Sequence, residues 1–130
     1  MQRTTLREVG RFPVDPISGA EGIRVSSVGA GWARARVRPE RAAAACDGHF
    51  PGDAIVPGAS LVGLMAELAA MIVDDGQLAG VESSTFRRRV HPDAAIIVVA
   101  ERTDPAHVEA HVEADGVLAA VARLRYRPIR

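Results

Sequence analysis

His49 heads the one stretch in which residue types and spacing promise chemistry. His49-Phe50-Pro51-Gly52 reads as a sharp turn, Pro57-Gly58 as a second, and an apolar run begins at Gly58. A lone imidazole, titrating near neutrality, stands just ahead of a helix and can take up and return a proton there. Gly52 and Gly58 permit a positive φ or a close approach that a side chain would block, and Pro57 can begin a helix because it needs no N–H there. The other candidates are less organised. Arg87-Arg88-Arg89 offers forked donors, with Arg87 and Arg89 on one face of an alternating strand and Arg88 on the other. His91 stands in the turn after them. His107 and His111 share an i, i+4 spacing that suits a metal on a helix, but Pro105 and the alternation that follows favour a strand, so no metal site is expected. Cys46 lies three residues before His49 with nothing nearby to activate its thiol, and its expected part is that of a small packed hydrophobe.

Composition narrows the setting. The 130 residues suit one domain, taken as 1–130, and 48% apolar with 25% charged residues is the balance of a globular protein. Aromatic residues make up only 4%, so the core must be built from small side chains. Basic and acidic residues balance at 16 each, which leaves no global field to draw the chain to nucleic acid or an anionic membrane. Every basic residue is arginine, which fits a coding bias as well as a chemical need. A single cysteine excludes an intrachain disulfide and cysteine-rich zinc sites, so a reducing cytoplasm is expected. The N-terminus lacks an apolar leader core, and the longest apolar run is too short for a bilayer and interrupted by Glu67. Neither secretion nor a membrane span is expected.

The elements that must position His49 follow from periodicity. Pro13, Pro16, Gly19 and Gly22 leave only a short extended segment around Phe12 to Ile17. Alternation from Ile23 to Val28 and from Gly31 to Arg38 predicts a hairpin turning near Gly29, with Ala33, Ala35 and Val37 on one face and the arginines on the other. Residues 40–48 have alanine propensity but are tightly bounded by Pro39 and Gly48, and an irregular approach to His49 is expected. From Gly58 to Val73 apolar residues cover most of a helix, predicting burial nearly all round. One narrow stripe is the exception: Ser60, Gly63, Glu67, Ala70 and Asp74. Gly76 suits a left-handed cap. Strands are then expected at Val81 to Val90, Ala94 to Glu101, Val108 to Val112 and Val117 to Tyr126, with Asp93 and Asp115-Gly116 in turns. The class is α+β, an antiparallel sheet curled around one long central helix.

The string GHFPGDAIVPG from Gly48 to Gly58, the helix after it and the later FRRRVHPD from Phe86 to Asp93 resemble a known signature. It is that of the hot-dog-fold 3-hydroxyacyl-acyl-carrier-protein dehydratases of fatty-acid and polyketide synthesis, approximately HFPGxPVMPG and then FRRPVxPGD. The resemblance runs from about Phe12 to the end of the chain. It implies a sheet wrapped around the helix, edge-to-edge dimers, and elimination of water from a 3-hydroxyacyl thioester held on the phosphopantetheine of an acyl carrier protein, with no other cofactor. His49 matches the family's catalytic base, and the Gly58 N–H, at the positive end of a helix, suits the thioester carbonyl. Phe50, Gly52, Pro57 and Gly63 fall on the substrate side of the motif, and Arg87 and Arg88 on the phosphopantetheine or carrier side.

One position departs. The family's acid falls fourteen residues after the histidine, which here is Gly63, while the residue four further on is Glu67. Side chains on a helix lean toward its N-terminus, so Glu67 points back over Gly63 and can supply a desolvated acid from there. Equally, the acid is lost and the chain is a non-catalytic or half-catalytic partner in a heteromeric dehydratase that holds the acyl chain. Gly63 costs helix stability, about 1 kcal/mol against alanine, which suggests close approach by an acyl chain or another backbone. Asp53 after the turn also resembles the branch of the family that isomerises the new double bond, though an ordinary turn aspartate accounts for it. A hot-dog thioesterase acting on acyl-CoA is the third reading, opposed by the HFPG motif.

Overall fold

The computed structural model describes residues 22–46 and 54–129. The extended segment expected around Phe12 to Ile17 lies outside them. Strand β1 (Ile23–Gly29) and strand β2 (Trp32–Val37) form the expected hairpin, with Gly29 at the edge of the turn and Ala30-Gly31 within it, where Gly31 takes φ +78°. Helix α1 (Pro39–Ala45) and the long helix α2 (Gly58–Ala70) follow, then β3 (Gly76–Phe86), β4 (Ile96–Asp104), β5 (His107–Ala114) and β6 (Val117–Pro128). The strands form one antiparallel sheet in the order β1-β2-β4-β5-β6-β3.

Registers explain how a core of small residues is filled. One row across the sheet reads Val25, Ala35, Val98, Val112 and Ala120; the next reads Ala33, Ala100, Ala110 and Ala122. Alanines let a helix lie close to the sheet, and α2 supplies the bulk with Leu61, Leu64, Met65 and Leu68, each at most 3% exposed. Burying such side chains contributes roughly 1.5–3 kcal/mol each before entropy is counted.

Several local expectations are corrected. Residues 40–48 do not approach His49 irregularly throughout, because Pro39 at the first helical turn and four successive alanines are enough for α1. Helix α2 stops at Ala70 with Met71 as its C-cap, and Gly76 opens β3 without a positive φ. Gly76 matters for a different reason: a Cβ there would meet the Arg127 carbonyl at 3.1 Å. Nor is α2 buried all round. Ala59 and Ala70 are exposed and Ser60, Val62, Gly63, Ala66 and Glu67 half-buried, because a single sheet covers one side of a helix. Strand β3 begins five residues before the expected start and ends at Phe86. It lies at the sheet edge with Leu78, Val81 and Phe86 exposed. The turn at Asp115-Gly116, with φ +54° and +83°, is the hairpin turn that the aspartate-glycine pair demands.

Charges on the outer face tie β3, β5 and β6 together. Arg123 Nε donates to Glu82 at 3.1 Å and Arg123 also donates to Glu109 at 2.6 Å. His107 Nε2 faces Glu82 at 3.0 Å and Nδ1 faces Asp104 at 3.0 Å. With a carboxylate at each ring nitrogen, the imidazole serves both only as a double donor, in its charged form. Its hydrogen bonds to Glu82 and then Asp104 raise the His107 pKa; Glu82 is lowered mainly by His107, and Asp104 by the Ala106 N–H and then His107.

The signs follow from linkage. The raised His107 contributes stability that is full below the ordinary imidazole value of about 6.5 and is lost as pH rises through the folded value. The lowered carboxylates contribute above about 4 and lose it as pH falls through theirs. His107→Gln is therefore expected to flatten the alkaline side of a Tm-against-pH profile, modestly, since the pairs are exposed. Parallel loss of Tm in parent and variant above neutrality would contradict this.

Candidate active site

The N-terminus of α2 is the natural centre of a site. Pro57 is its N-cap in an extended conformation, and Ser60 and Leu61 donate back to the Pro57 carbonyl. Gly58 is the first helical residue, so its N–H has no acceptor within the helix and lies at the positive end of the dipole. The preceding segment is fixed by Val56 N–H donating to the Val90 carbonyl at 2.8 Å and by His91 Nδ1 donating to the Ala54 carbonyl at 3.2 Å. His49, Phe50 and Gly52 lie outside the described residues, between the α1 cap at Cys46 and Ala54.

Two cavities flank Val56. One, of about 350 Å³, opens between Gly58, Leu61, Phe86 and the arginines 87–89. Phe86 lies over the helix start: a Cβ on Gly58 would come within 3.0 Å of its ring, so the glycine at 58 makes room for that ring. The arginines therefore stand beside Gly58, 29 and more residues apart in sequence yet in one cavity. They do not alternate on a strand, because β3 has ended; Arg87 and Arg88 both donate their N–H to the Ala119 carbonyl at 2.7 and 3.3 Å, and all three side chains are exposed.

The second cavity, about 300 Å³, lies between α1 and α2. Arg41, Ala42 and Ala45 form one wall, and Ser60, Gly63 and Leu64 the other. Gly63 faces open space among the described residues, since a Cβ there meets none of them within 4 Å.

Glu67 is not in the setting expected of a relocated acid. It lines neither cavity, its side chain is 34% exposed, and both carboxylate oxygens accept from Arg41, at 3.1 Å from Nη1 and 2.6 Å from Nη2. The sequence reading missed Arg41 because its segment was taken as irregular and its partner lies 26 residues away. An arginine within an alanine run after a proline was the only signal. Cys46 packs in the core, its Sγ donating to the Ala42 carbonyl at 3.4 Å. His107 and His111 sit on the outer face of β5, in contact with carboxylates, and no group of three or more possible metal ligands occurs among the described residues. None of the helices among the described residues is long and apolar enough to cross a membrane.

The family model described as ApeI-like, ApeI dehydratase, matches residues 27–124. A 3-hydroxyacyl-[acyl-carrier-protein] dehydratase FabZ from Ehrlichia chaffeensis is 32% identical, over 59% of this chain and 61% of that protein. The chain thus spans 61% of the length of this curated relative. Among solved structures, the dehydratase heterocomplex ApeI:P from Xenorhabdus doucetiae superposes with a TM-score of 0.65 at 13% identity, covering 74% of this chain and 87% of that one. The uncharacterized protein PH1136 from Pyrococcus horikoshii reaches 0.70 at 12% identity, covering 100% and 94%. The fold is the hot-dog, an α+β sheet wrapped on one helix.

Proposed function

Because the chain belongs to the ApeI-like dehydratase family, we propose that it eliminates water from a 3-hydroxyacyl thioester borne on the phosphopantetheine of an acyl carrier protein. The observation that carries this reading is the start of α2: Pro57 caps it, Gly58 presents an N–H outside the helix's own bonding, a cavity opens beside it, and His49 precedes Gly58 by nine residues. In the proposed reaction His49 takes the proton from C2, and the thioester oxygen gathers the developing charge against the Gly58 N–H and the helix dipole. The imidazolium then returns that proton to the C3 hydroxyl, the C3–O bond breaks, and water leaves with formation of the C2–C3 double bond. Protons balance within one histidine, so the scheme calls for no cofactor beyond the carrier's phosphopantetheine. Phe50, Gly52 and Pro57 shape the entry, and Arg87 and Arg88 meet the phosphate or the carrier through charge-assisted bonds. The setting is cytoplasmic fatty-acid or polyketide synthesis. The exposed edge of β3, with Leu78 and Val81, is proposed to pair with another hot-dog subunit, since an apolar edge left open invites pairing.

A second reading is favoured by one observation, the engagement of Glu67 by Arg41. With Gly63 at the family's acid position, a partner subunit would complete the active site, as in a dehydratase heterocomplex such as the structural neighbour ApeI:P. The test is turnover by the purified protein alone on a 3-hydroxyacyl carrier substrate, read by mass spectrometry of the enoyl product. Product from the protein alone is expected. Product only after addition of a second hot-dog subunit moves the chain to the partner reading.

A further inference from the structure

We propose that the outer face of the sheet, turned away from α2, is where two copies of this chain pack back to back, the arginines of one over the glutamates of the other. The inference does not depend on the dehydratase reading, and it concerns a face separate from the β3 edge. Ala33, Ala35, Val98, Ala100, Ala110 and Val112 are buried toward α2, so the residues alternating with them face outward. On that outer face β1 and β2 carry Arg24, Arg34 and Arg36, and β4 and β5 carry Glu101, Glu109 and Glu113. The registers set like charges directly opposite each other, Arg24 across from Arg36 and Glu101 across from Glu109. Such cross-strand pairs destabilise a sheet. Glu109 meets Arg123 at 2.6 Å and Glu113 meets His111 at 3.1 Å. Among the described residues no opposite charge answers Arg24, Arg34, Arg36 or Glu101; Arg34 reaches only Ser26 Oγ, at 3.5 Å.

The order of signs selects the occupant. Across β1-β2-β4-β5 it runs positive, positive, negative, negative. A uniformly anionic partner would be drawn to the first two strands and repelled by the next two. A second copy, turned over about a two-fold axis that runs along the strands between β2 and β4, satisfies both halves at once. That rotation lays β2 over the partner's β4 and β1 over the partner's β5, which brings Arg24 over the partner's Glu113 and Arg34 over the partner's Val99. Shape agrees with charge. Val99, Glu101, Glu109 and His111 line a hollow of about 350 Å³ on this face. It seats the Arg34 guanidinium, with the unanswered Glu101 two residues from Val99 along the same strand. Ile97 and Val99, half-buried apolar residues on an outer face, lie where the stems of Arg36 and Arg34 cover them. Sheets packed face to face in nearly aligned directions interdigitate in this way.

The experiment measures mass in solution, by sedimentation velocity, for the full chain, for Arg34→Glu, for Glu101→Arg and for an equimolar mixture of the two variants. Each single variant sets like charges against each other twice across the two-fold axis, and its mass is expected to fall to half that of the parent. In the mixture each variant offers the charge that the other lacks, so the parental mass is expected to return. A variant that had merely lost its fold would not recover on mixing. Salt at about 1 M, where the screening length is about 3 Å, is expected to lower the parental mass as well. The β3 edge lies at the far side of the sheet from β1 and carries neither substitution, so assembly through it multiplies every mass alike and leaves the two-fold ratio readable. Parental mass in both single variants, or a mixture that stays at half mass, would overturn the back-to-back pair. So would an unchanged mass together with binding to anionic phospholipid vesicles, or to an acidic carrier protein, that Arg34→Glu abolishes; the arginines would then serve that partner.

Discussion

Replacing His49 with alanine is expected to lower kcat on a 3-hydroxyacyl carrier substrate by about 10³-fold, within the range for loss of a positioned general base. In the proposed scheme one imidazole both removes the C2 proton and delivers it to the hydroxyl, so its removal affects both halves of the elimination. Binding should change far less. In that scheme the acyl chain and the phosphopantetheine are met by the walls of the cavity beside Gly58 and by Arg87 and Arg88, none of which the substitution alters. His107→Gln is the matched control, since that ring lies on the outer face of the sheet among Glu82 and Asp104. It removes an imidazole without touching the α2 N-terminus and should leave kcat unchanged. Equal loss in both variants would mean that His49 acts through stability, and His49→Ala at parental turnover would remove the motif's histidine from the chemistry.

Gly63→Glu is expected to raise kcat by about 10–10²-fold, at the lower end of what a positioned acid supplies. The backbone at this position is ordinary helix, and among the described residues a Cβ there meets nothing within 4 Å, which leaves the side chain room. Helical side chains lean toward the N-terminus, which aims the new carboxyl over Ser60 on the same cavity wall. Val56, Leu64 and Ile96 make the cavity partly apolar, which favours the protonated form needed to protonate a departing hydroxyl, while the opposing Arg41 charge in the same cavity is engaged by Glu67. Gly63→Ala separates rate from stability. It should gain about 1 kcal/mol of helix stability, seen as a higher Tm, without the gain in kcat. Lower turnover in Gly63→Glu with Gly63→Ala unchanged would show instead that the space at Gly63 belongs to the acyl chain.

These two residues mark how far local information reaches. The strand alternation around Ala33 and Ala35 and the apolar density of Leu61 to Leu68 were legible because each reflects which side of its own element is buried. The start of the long helix at Pro57-Gly58 was legible because proline fixes its own φ and can open a helix without an N–H. Element ends were less so: β3 began at Gly76 and the long helix ended at Ala70, since pairing with β6 and packing on the sheet set those limits. The alanine run after Pro39 had helical propensity, but seven residues become a helix only with tertiary support, and contacts such as Arg41 to Glu67 join residues 26 apart in sequence.

By itself, then, the amino-acid order determined the class of fold, the position of the long helix, the family signature around His49 and the vacancy at Gly63. All of these depend on neighbours along the chain or on a motif carried intact. Only the tertiary structure decided that Arg87 and Arg88 stand beside Gly58, that the Phe86 ring covers the helix start, and that Glu67 belongs to Arg41. The reason is physical. A charged side chain takes the partner that folding brings within about 3 Å, and spacing along one helix says where a carboxylate points but not which guanidinium arrives to meet it.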